Sequence, residues 1–174
     1  KNPDKYIGPH IGCKKGYGTN EGIRANAASG GMVTSLLCNL LKHGDIDGAW
    51  VTKTDFVNGE LSYKTYVATT EEEIRDASSS VYMTIPLLKH IDVIKNFNGK
   101  VAVVMTPCML RGLDAILKKD DALREKVVLK LGLYCSGTHS PKATTLSMEK
   151  SGIPSEDATR LYYRRGHWRG TSSV

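Results

Sequence analysis

The chain has 174 residues, of which 40% are hydrophobic and 24% are charged, so it is long enough to bury one core. This composition excludes an intrinsically disordered segment, and no apolar run approaches the roughly 20 residues of a membrane span. The four cysteines lack CxxC spacing and follow no visible secretory signal, which argues against a disulfide framework. We predict a reduced, cytoplasmic protein with residues 1–174 in a single domain. Because the chain begins without Met and stops abruptly, it is expected to be part of a longer polypeptide.

The formal net charge of +6 is compatible with nucleic acid, a membrane surface or anionic ligands as partners. Most lysines are scattered over predicted helix faces, which is typical of a solvated surface. Basic residues that alternate with aromatic ones can hold phosphates and stack bases, so a nucleic-acid module is one alternative function. The only local cluster of this kind comprises Arg160, Arg164, Arg165, His167 and Arg169, interleaved with Tyr162, Tyr163 and Trp168.

The first glycine-rich segment, residues 16–22, is similar to a dinucleotide fingerprint but has one residue too many between its second and third glycines. Neither a strand before it nor a helix directly after it is predicted, so we do not interpret it as a Rossmann-type site. A helix is predicted further on, because an apolar stripe at helical spacing runs from Met32 to Leu41 and ends at His43-Gly44. Ser29 is predicted to be its N-cap.

The start of this helix is a candidate phosphate site. A Ser29-Gly30-Gly31 turn presents free backbone N–H groups at the positive end of the helix dipole. The missing side chains at Gly30 and Gly31 would let a phosphate come close, and Arg24 could neutralise its charge. An ordinary capped helix with a glycine turn explains the same residues, so both interpretations stay open at this point.

The middle of the chain predicts a β-hairpin followed by short helices. A strand over Gly48–Thr54 and an alternating strand from Leu61 to Val67 flank Asn58-Gly59, a strong hairpin turn. Thr70-Glu-Glu-Glu73 has the spacing of a capping box and begins a short helix. The small, polar stretch that comes next, Ala77–Thr84, is either a plain connector or a second ligand-lining loop. A further helix is predicted over Pro86–Phe97.

Two strands end on cysteines. The continuous apolar run Val101–Met105 is typical of a strand buried on both faces, and Pro107 ends it just before Cys108. A second run, Val127–Tyr134, ends on Cys135. In open α/β sheets, ligands bind at the carboxyl ends of the strands. We therefore expect the two thiols to lie at one functional edge of the sheet.

The remaining elements complete the predicted fold. Helices are predicted over Cys108–Lys119 and Pro141–Ser151, and a final strand over Thr159–Arg164. Together, the elements predict an α/β fold: a mixed, mostly parallel sheet with helices on both faces and a β-hairpin excursion.

The chemistry of the two thiols has several interpretations. Two cysteines at one sheet edge favour a metal or iron–sulfur site, but a cluster needs about four ligands. A dithiol redox pair and a nucleophilic couple with His139 are the alternatives. No paired carboxylates or metal-type histidine spacing accompany them, so we assign no catalytic residue.

Several segments, taken together, resemble one family: the beta subunits of coenzyme F420-reducing hydrogenases and the related formate dehydrogenase beta subunits. The match covers nearly the whole chain in family order. The segments that carry it are Ala28–Leu37, Gly44–Ala49, Val67–Ile74, Val101–Cys108 with its Thr-Pro-Cys end, and Leu131–Cys135 with its Gly-Leu-Tyr-Cys end.

The resemblance implies an electron-transfer oxidoreductase that carries FAD and a [4Fe–4S] cluster and acts on the 5-deazaflavin coenzyme F420. Other redox subunits or ferredoxin-like carriers are its implied partners, and neither nucleic acid nor a membrane span is expected. The residues that it implies for cofactor binding are Arg24, Ser29, Gly30, Gly31, Thr34, Ser80 and Tyr82. Cys108 and Cys135 match two cluster-ligating cysteines of the family.

Two departures from the family pattern bear on function. Family members have Gly-Ser/Thr-Lys-Tyr before the helix at Pro86, whereas this chain has Ser79-Ser80-Val81-Tyr82, so a cation is missing. The other two cluster cysteines of family members come from a Cys-x-x-Cys further along. A non-catalytic relative that docks an electron-transfer partner without binding flavin is therefore the alternative function.

Overall fold

The computed structural model describes residues 8–154, 156, 158–165 and 171–173. Its main sheet has four strands in the order β2-β1-β3-β4. β1, β3 and β4 are parallel to one another and β2 is antiparallel to β1, which confirms the predicted mixed, mostly parallel sheet. The strands are β1 Gly48–Val57, β2 Glu60–Ala68, β3 Val101–Met105 and β4 Val127–Gly132.

The hairpin between β1 and β2 turns at Asn58-Gly59, as predicted. Asn58 has φ 53° and Gly59 has φ 74°, so both central residues are left-handed, as a tight two-residue hairpin requires. Val57 pairs with Glu60 directly beside the turn.

Seven helices and one 3₁₀ helix lie within the described ranges. The helices are α1 Glu21–Asn26, α2 Met32–His43, α3 Glu71–Asp76, α4 Asp92–Lys95, α5 Pro107–Leu117, α6 Asp121–Lys126 and α7 Pro141–Lys150. The 3₁₀ helix is Leu87–His90. A small separate sheet pairs β5 Tyr162–Arg165 with β6 Thr171–Ser173.

Hydrophobic side chains cover both faces of the main sheet. On one face, Val101, Val103 and Met105 of β3 pack with the α4–α6 side, including Ile94 and Leu113. On the other face the core is formed by residues of β1–β3 with α1–α3: Ile23, Leu37, Cys38, Ile46, Ala49, Val51, Ala68, Ile74 and Ala102. Because β3 faces both cores and is almost fully buried, its continuous apolar run is explained, and helices on both faces are confirmed.

The N-terminus of α2 differs from the prediction. Gly31, not Ser29, is the N-cap residue, with φ 70° and no side-chain capping hydrogen bond. A helix also follows the glycine-rich segment 16–22, since α1 begins at Glu21 with the side chain of Asn20 as its cap. The apolar stripe of α2 is only partly buried: Leu37 is in the core, but Met32 is 50% exposed.

Other predicted boundaries also change. The helix predicted over Pro86–Phe97 is divided into a 3₁₀ helix and α4, since the N–H groups of Lys89 and Ile91 donate to carbonyl oxygens three residues back. β4 ends at Gly132, two residues early. The capping box at Thr70 and Glu73 is confirmed, with both of its hydrogen bonds present at the start of α3. Within the described ranges, no helix has the length and hydropathy that crossing a membrane requires.

Candidate functional site

The ends of β3 and β4 place two thiols at one edge of the sheet. The backbone N–H of Leu133 donates to the carbonyl oxygen of Met105 at 2.9 Å, so the two strand ends lie side by side. Cys108 follows Met105 by three residues, and Cys135 follows Leu133 by two. Both cysteines are exposed and free. The topology thus brings them to neighbouring positions on the carboxyl edge, where α/β proteins bind ligands.

Local contacts hold each thiol near its strand end. Cys108 lies in the first turn of α5, after Pro107, and its Sγ is 3.2 Å from the hydroxyl of Thr106. The Cys135 thiol donates to the carbonyl oxygen of Gly137 at 3.6 Å rather than to His139, so the arrangement gives no support to a cysteine–histidine couple. Both sulfurs remain accessible to a ligand.

The two thiols do not make a complete metal site within the described residues. No group of three or more His, Cys, Asp or Glu side chains in those ranges is arranged to hold a metal ion. An iron–sulfur cluster takes about four ligands, so Cys108 and Cys135 would be half of a set.

The serine-rich segment, residues 78–84, runs beside the Cys135 loop. The backbone N–H of His139 donates to the carbonyl oxygen of Tyr82 at 2.7 Å, and the hydroxyls of Thr84 and Thr138 are 2.9 Å apart. The Tyr82 ring also makes an edge contact with Tyr163 of β5, with ring centroids 5.3 Å apart. This segment therefore packs along the thiol edge, and its role as a ligand-lining loop stays a prediction.

The other end of the same segment borders a cavity of about 400 Å³. The cavity lies between α1, α2, α3 and β5, and its lining is mostly polar: Gly22, Ile23, Asn26, Thr34, Glu72, Arg75, Asp76, Ser78, Tyr162 and Arg165. A volume of this size is within the usual range for ligand sites. Nearby, the Ser79 hydroxyl donates to the carbonyl oxygen of Arg164 at 3.2 Å, which ties the segment to β5.

Chain topology places this cavity at the carboxyl edge as well. α2 ends only four residues before β1 begins, so the two run in opposite directions and the first turn of α2 lies at the carboxyl end of the sheet. β1 pairs with β3 up to Trp50–Val103, so Thr54 lies beyond the end of β3. The Thr54 hydroxyl donates to the carbonyl oxygen of Leu161, which places the start of β5 over that edge.

The glycines of the Ser29-Gly30-Gly31 turn accommodate the chain itself. A Cβ on Gly30 would lie 3.2 Å from Cβ of Tyr17, and one on Gly31 would lie 3.2 Å from Cγ2 of Ile23. The N–H of Gly18 donates to the carbonyl oxygen of Gly30 at 2.7 Å. The sides that these glycines leave open are thus occupied by residues 16–18 and α1, and the assignment of Ser29, Gly30 and Gly31 to cofactor binding stays a prediction.

Two other predicted residues lie near this turn. Thr34, in the first turn of α2, is buried and lines the cavity. Arg24 lies in α1, where its guanidinium is 5.2 Å from the centroid of the Tyr17 ring and 3.9 Å from a Glu21 carboxylate oxygen. Its charge is therefore directed to Tyr17 and Glu21, and it is not among the cavity-lining residues.

Asp76 anchors the floor of the cavity. Its carboxylate accepts hydrogen bonds from Lys53 of β1 and from Arg160, whose guanidinium also donates to the backbone carbonyl of Asp76. Burial acts to raise the pKa of Asp76, but the hydrogen bonds from Lys53 and Arg160 outweigh it and hold the pKa below its usual range. The carboxylate stays ionised and locks α3 to β1 and to the segment before β5.

The arginines of the basic cluster near the end of the chain have partners within the protein. The guanidinium groups of Arg160 and Arg165 each lie 4.4 Å from the centroid of the Tyr162 ring. Nε of Arg165 also donates to Oδ1 of Asn26 at 2.9 Å. The last part of the cluster, His167 to Arg169, lies outside the described residues. These contacts favour a structural and cavity-lining role over a nucleic-acid surface.

Sequence reasoning missed much of the cavity. Arg75, Arg165 and Asn26 were not among the predicted site residues, although they give the cavity its polar character. Asn26 and Arg165 are 139 positions apart, so no local motif connects them. The one local signal was the segment before Pro86, which was interpreted either as a connector or as a ligand-lining loop, and neither interpretation indicated which residues face it.

The fold and the site define an α/β protein with two thiols at a sheet edge and a polar cavity beside them. Comparison with known protein families shows which family the chain belongs to. Two models of the family "Coenzyme F420 hydrogenase/dehydrogenase, beta subunit" match the chain, the N-terminal one over residues 13–92 and the C-terminal one over residues 98–173. The chain belongs to the coenzyme F420 hydrogenase/dehydrogenase beta-subunit family.

The chain is also similar to one curated protein in sequence and to one solved structure in fold. The chain is 31% identical over 148 residues to uncharacterized protein MJ1349 of Methanocaldococcus jannaschii, a match that covers 81% of this chain and 41% of the relative. It thus spans about two fifths of the length of that curated relative. A chain of the F420-reducing [NiFe] hydrogenase complex from Methanosarcina barkeri has the same fold, with TM-score 0.70 and 24% identity. This match covers 90% of our chain and 57% of that chain.

Proposed function

We propose that the protein is the flavin- and iron–sulfur-containing part of an electron-transfer oxidoreductase that reacts with coenzyme F420. In this proposal, the cavity between α1, α2, α3 and β5 holds part of FAD. Cys108 and Cys135 supply two ligands of a [4Fe–4S] cluster. Membership of the F420 hydrogenase/dehydrogenase beta-subunit family supports the choice of cofactors.

One observation carries the proposal: a single short segment borders both sites. Ser78 lines the cavity, and Tyr82, four residues later, accepts a hydrogen bond from the loop that follows Cys135. Four residues span at most about 14 Å, since an extended chain covers roughly 3.3–3.6 Å per residue. A cofactor in the cavity and a cluster on the thiols would therefore be close neighbours at one sheet edge.

The cavity has the chemistry that a flavin nucleotide requires. Arg75 and Arg165 bring positive charge to its wall, although Arg75 is also paired with Glu71 at 3.2 Å. In this proposal the two arginines take the place of the family lysine that Val81 replaces. The first turn of α2, with Thr34 facing the cavity, has no side-chain cap, so its backbone N–H groups are oriented to bind a phosphate. Tyr162 also lines the cavity, with the guanidinium groups of Arg160 and Arg165 stacked on its ring.

The thiol edge fits part of a cluster site. Both sulfurs are exposed at adjacent strand ends, and thiolates are the ligands that iron–sulfur clusters take. Further ligands would have to come from outside the described residues. The hydroxyl of Thr106, 3.2 Å from Sγ of Cys108, can donate a hydrogen bond to that sulfur, a contact of the kind that tunes cluster potential.

The bound flavin supplies the chemistry that links a two-electron hydride carrier to a one-electron cluster. The residues of this chain bind and orient it. Arg75 and Arg165 would hold its phosphates, whereas the ionised Asp76, already bonded to Lys53, keeps the cavity floor fixed. The segment 78–84, which borders both the cavity and the Cys135 loop, would lie between the two cofactors.

The test uses the full-length protein purified without oxygen. We expect flavin absorbance, protein-bound iron and bleaching of the flavin when reduced coenzyme F420 is added. Neither flavin nor iron in the purified protein would refute the proposal. If the purified protein contains iron but no flavin, and does not bind FAD on titration, the result would instead support the alternative function. The protein would then dock an electron-transfer partner without binding flavin, as the absence of the family lysine at Val81 suggests.

A further inference from the structure

Ser79 has a backbone conformation that L-residues rarely adopt. Its φ is 146°, and within the described ranges Asn58 is the only other non-glycine residue with a positive φ. Asn58 needs that conformation for the two-residue hairpin turn, and asparagine tolerates it. Glycine would adopt the conformation of Ser79 without strain, because it has no Cβ. A serine in such a conformation persists only where its surroundings hold it there.

The hydroxyl of Ser79 makes a contact that holds it. This hydroxyl donates to the carbonyl oxygen of Arg164 at 3.2 Å, across 85 positions of the chain. The carbonyl oxygen of Ser80 is 3.5 Å from the same hydroxyl, so Arg164 is the better acceptor. Glycine in place of Ser79 would relieve the strain but would lose this bond to β5.

β5 depends on side-chain contacts for its position in the protein. It pairs with β6 in the small sheet and does not belong to the main sheet. Thr54 and Thr144 hold its first part, since their hydroxyls bond the Leu161 carbonyl oxygen and the Tyr163 hydroxyl. Ser79 holds the strand near its other end, because Arg164 is the third of its four residues.

The residue directly after this anchor is Arg165, which lines the polar cavity. Its Nε donates to Oδ1 of Asn26 at 2.9 Å, and its guanidinium lies 4.4 Å from the centroid of the Tyr162 ring. The carbonyl oxygen that Ser79 bonds belongs to the planar peptide group that joins Arg164 to Arg165. The bond therefore fixes the backbone from which the Arg165 side chain extends.

We propose that Ser79 is a positioning residue for flavin binding, whose hydroxyl holds the peptide group before Arg165 and so keeps the guanidinium at the cavity wall. The inference rests on the proposed function, since it takes Arg165 to hold a phosphate of FAD. Ser78 also lines the cavity, so the same bond joins two parts of its wall. A charge that is held in place before the ligand arrives loses less freedom on binding, which raises affinity.

The test is a titration of full-length, deflavinated protein with FAD, together with urea unfolding of the same samples. Ser79→Gly removes the strain along with the hydroxyl, so we expect a stability close to that of the wild type. FAD should nevertheless bind about fivefold more weakly, the effect of one neutral hydrogen bond. Asn58→Gly is the matched control, because it relieves the other positive φ in a turn that does not line the cavity. This variant should bind FAD as the wild type does.

Two further measurements test whether Ser79 acts through Arg165. The double variant Ser79→Gly and Arg165→Gln should bind FAD no more weakly than Arg165→Gln alone, because effects of residues that act as one unit do not add. In the flavin-free protein, the amides of residues 162–165 should exchange hydrogen faster in Ser79→Gly than in the wild type or in Asn58→Gly, because β5 loses an anchor.

Wild-type FAD affinity in Ser79→Gly would overturn the inference and leave the proposed function intact. Additive losses in the double variant would also overturn it, because Ser79 would then act on the flavin independently of Arg165. Unchanged hydrogen exchange of residues 162–165 in Ser79→Gly would show that the hydroxyl does not hold β5. A wild-type protein that binds no FAD would refute the proposed function itself.

Discussion

The backbone N–H of His139 donates to the carbonyl oxygen of Tyr82 at 2.7 Å, and this bond joins the two halves of the candidate site. Tyr82 belongs to the segment that begins at the polar cavity, and His139 belongs to the loop that begins at Cys135. Because the bond uses main-chain atoms, it does not depend on the identity of the intervening side chains. The relative position of cavity and thiols is therefore a property of the fold.

Replacing either exposed thiol is expected to remove iron. Cys108→Ser and Cys135→Ser should each lower the iron content of anaerobically purified full-length protein to a small fraction of the wild-type value, because a hydroxyl is a poor ligand for a cluster. Iron per protein and the visible absorbance of the cluster are the measurements. Cys38→Ala is the control, since Cys38 is buried in the core beside α3 and cannot reach the edge. Wild-type iron in Cys108→Ser would remove this residue from the ligand set.

Arg165→Gln is expected to weaken flavin binding by about tenfold, because it removes one charge-assisted hydrogen bond that contributes about 1.5 kcal/mol or more. The substitution keeps a polar side chain but shortens it and removes its charge from the cavity wall. Fluorescence titration of the deflavinated protein with FAD measures the effect. Arg124→Gln removes an exposed charge in α6, where Arg124 pairs with Asp121, and should leave the affinity unchanged. Identical FAD affinities for the Arg165 variant and the wild type would place the phosphates elsewhere.

Gly31→Ala is expected to destabilise the protein by about 1 to 2 kcal/mol, because an L-residue in the left-handed region clashes with its own backbone. Gly31 has φ 70°, and the added Cβ would also lie 3.2 Å from the Ile23 side chain. Urea unfolding gives the free energy. Gly12→Ala is the matched control, since a Cβ there meets nothing within 4 Å. If the two variants unfold at the same urea concentration, the turn at α2 does not need its glycine.

Asp76→Asn is expected to lower the free energy of unfolding at neutral pH by about 1 to 2 kcal/mol, a value reduced for the partial exposure of the carboxylate. The folded protein holds the pKa of Asp76 below its usual range, so this stabilisation is present above about pH 4 and is lost as the pH falls through the folded value. Unfolding free energies at a series of pH values should therefore converge for variant and wild type in acid. Asp45→Asn is the control, since Asp45 is an exposed residue after α2. The free energy of unfolding of this variant should change with pH as that of the wild type does. If the Asp76 variant stays less stable than the wild type in acid, the stabilisation does not come from the ionised carboxylate.

Much of the fold could be predicted because its determinants are local. The valines of Val101–Met105, the Asn58-Gly59 turn and the Thr70 capping box each fix a structure within a few residues. The helix predicted over Pro86–Phe97 was wrong as one unit, since its first turn forms 3₁₀ hydrogen bonds instead. The N-cap of α2 was wrong because Gly31 turns the chain in a left-handed conformation against α1, a contact that a local pattern does not indicate.

The sequence by itself determined the strands, the hairpin and the expectation that Cys108 and Cys135 follow neighbouring strand ends, because parallel strands bring their carboxyl ends to one edge. Only the tertiary structure decided what forms the cavity. Arg165 reaches Asn26 across 139 positions, and Arg160 reaches Asp76 across 84, through packing that no local pattern encodes. Hydrophobic burial positions the sheet and helices, and the polar side chains of distant segments then meet wherever that packing leaves a gap at the edge.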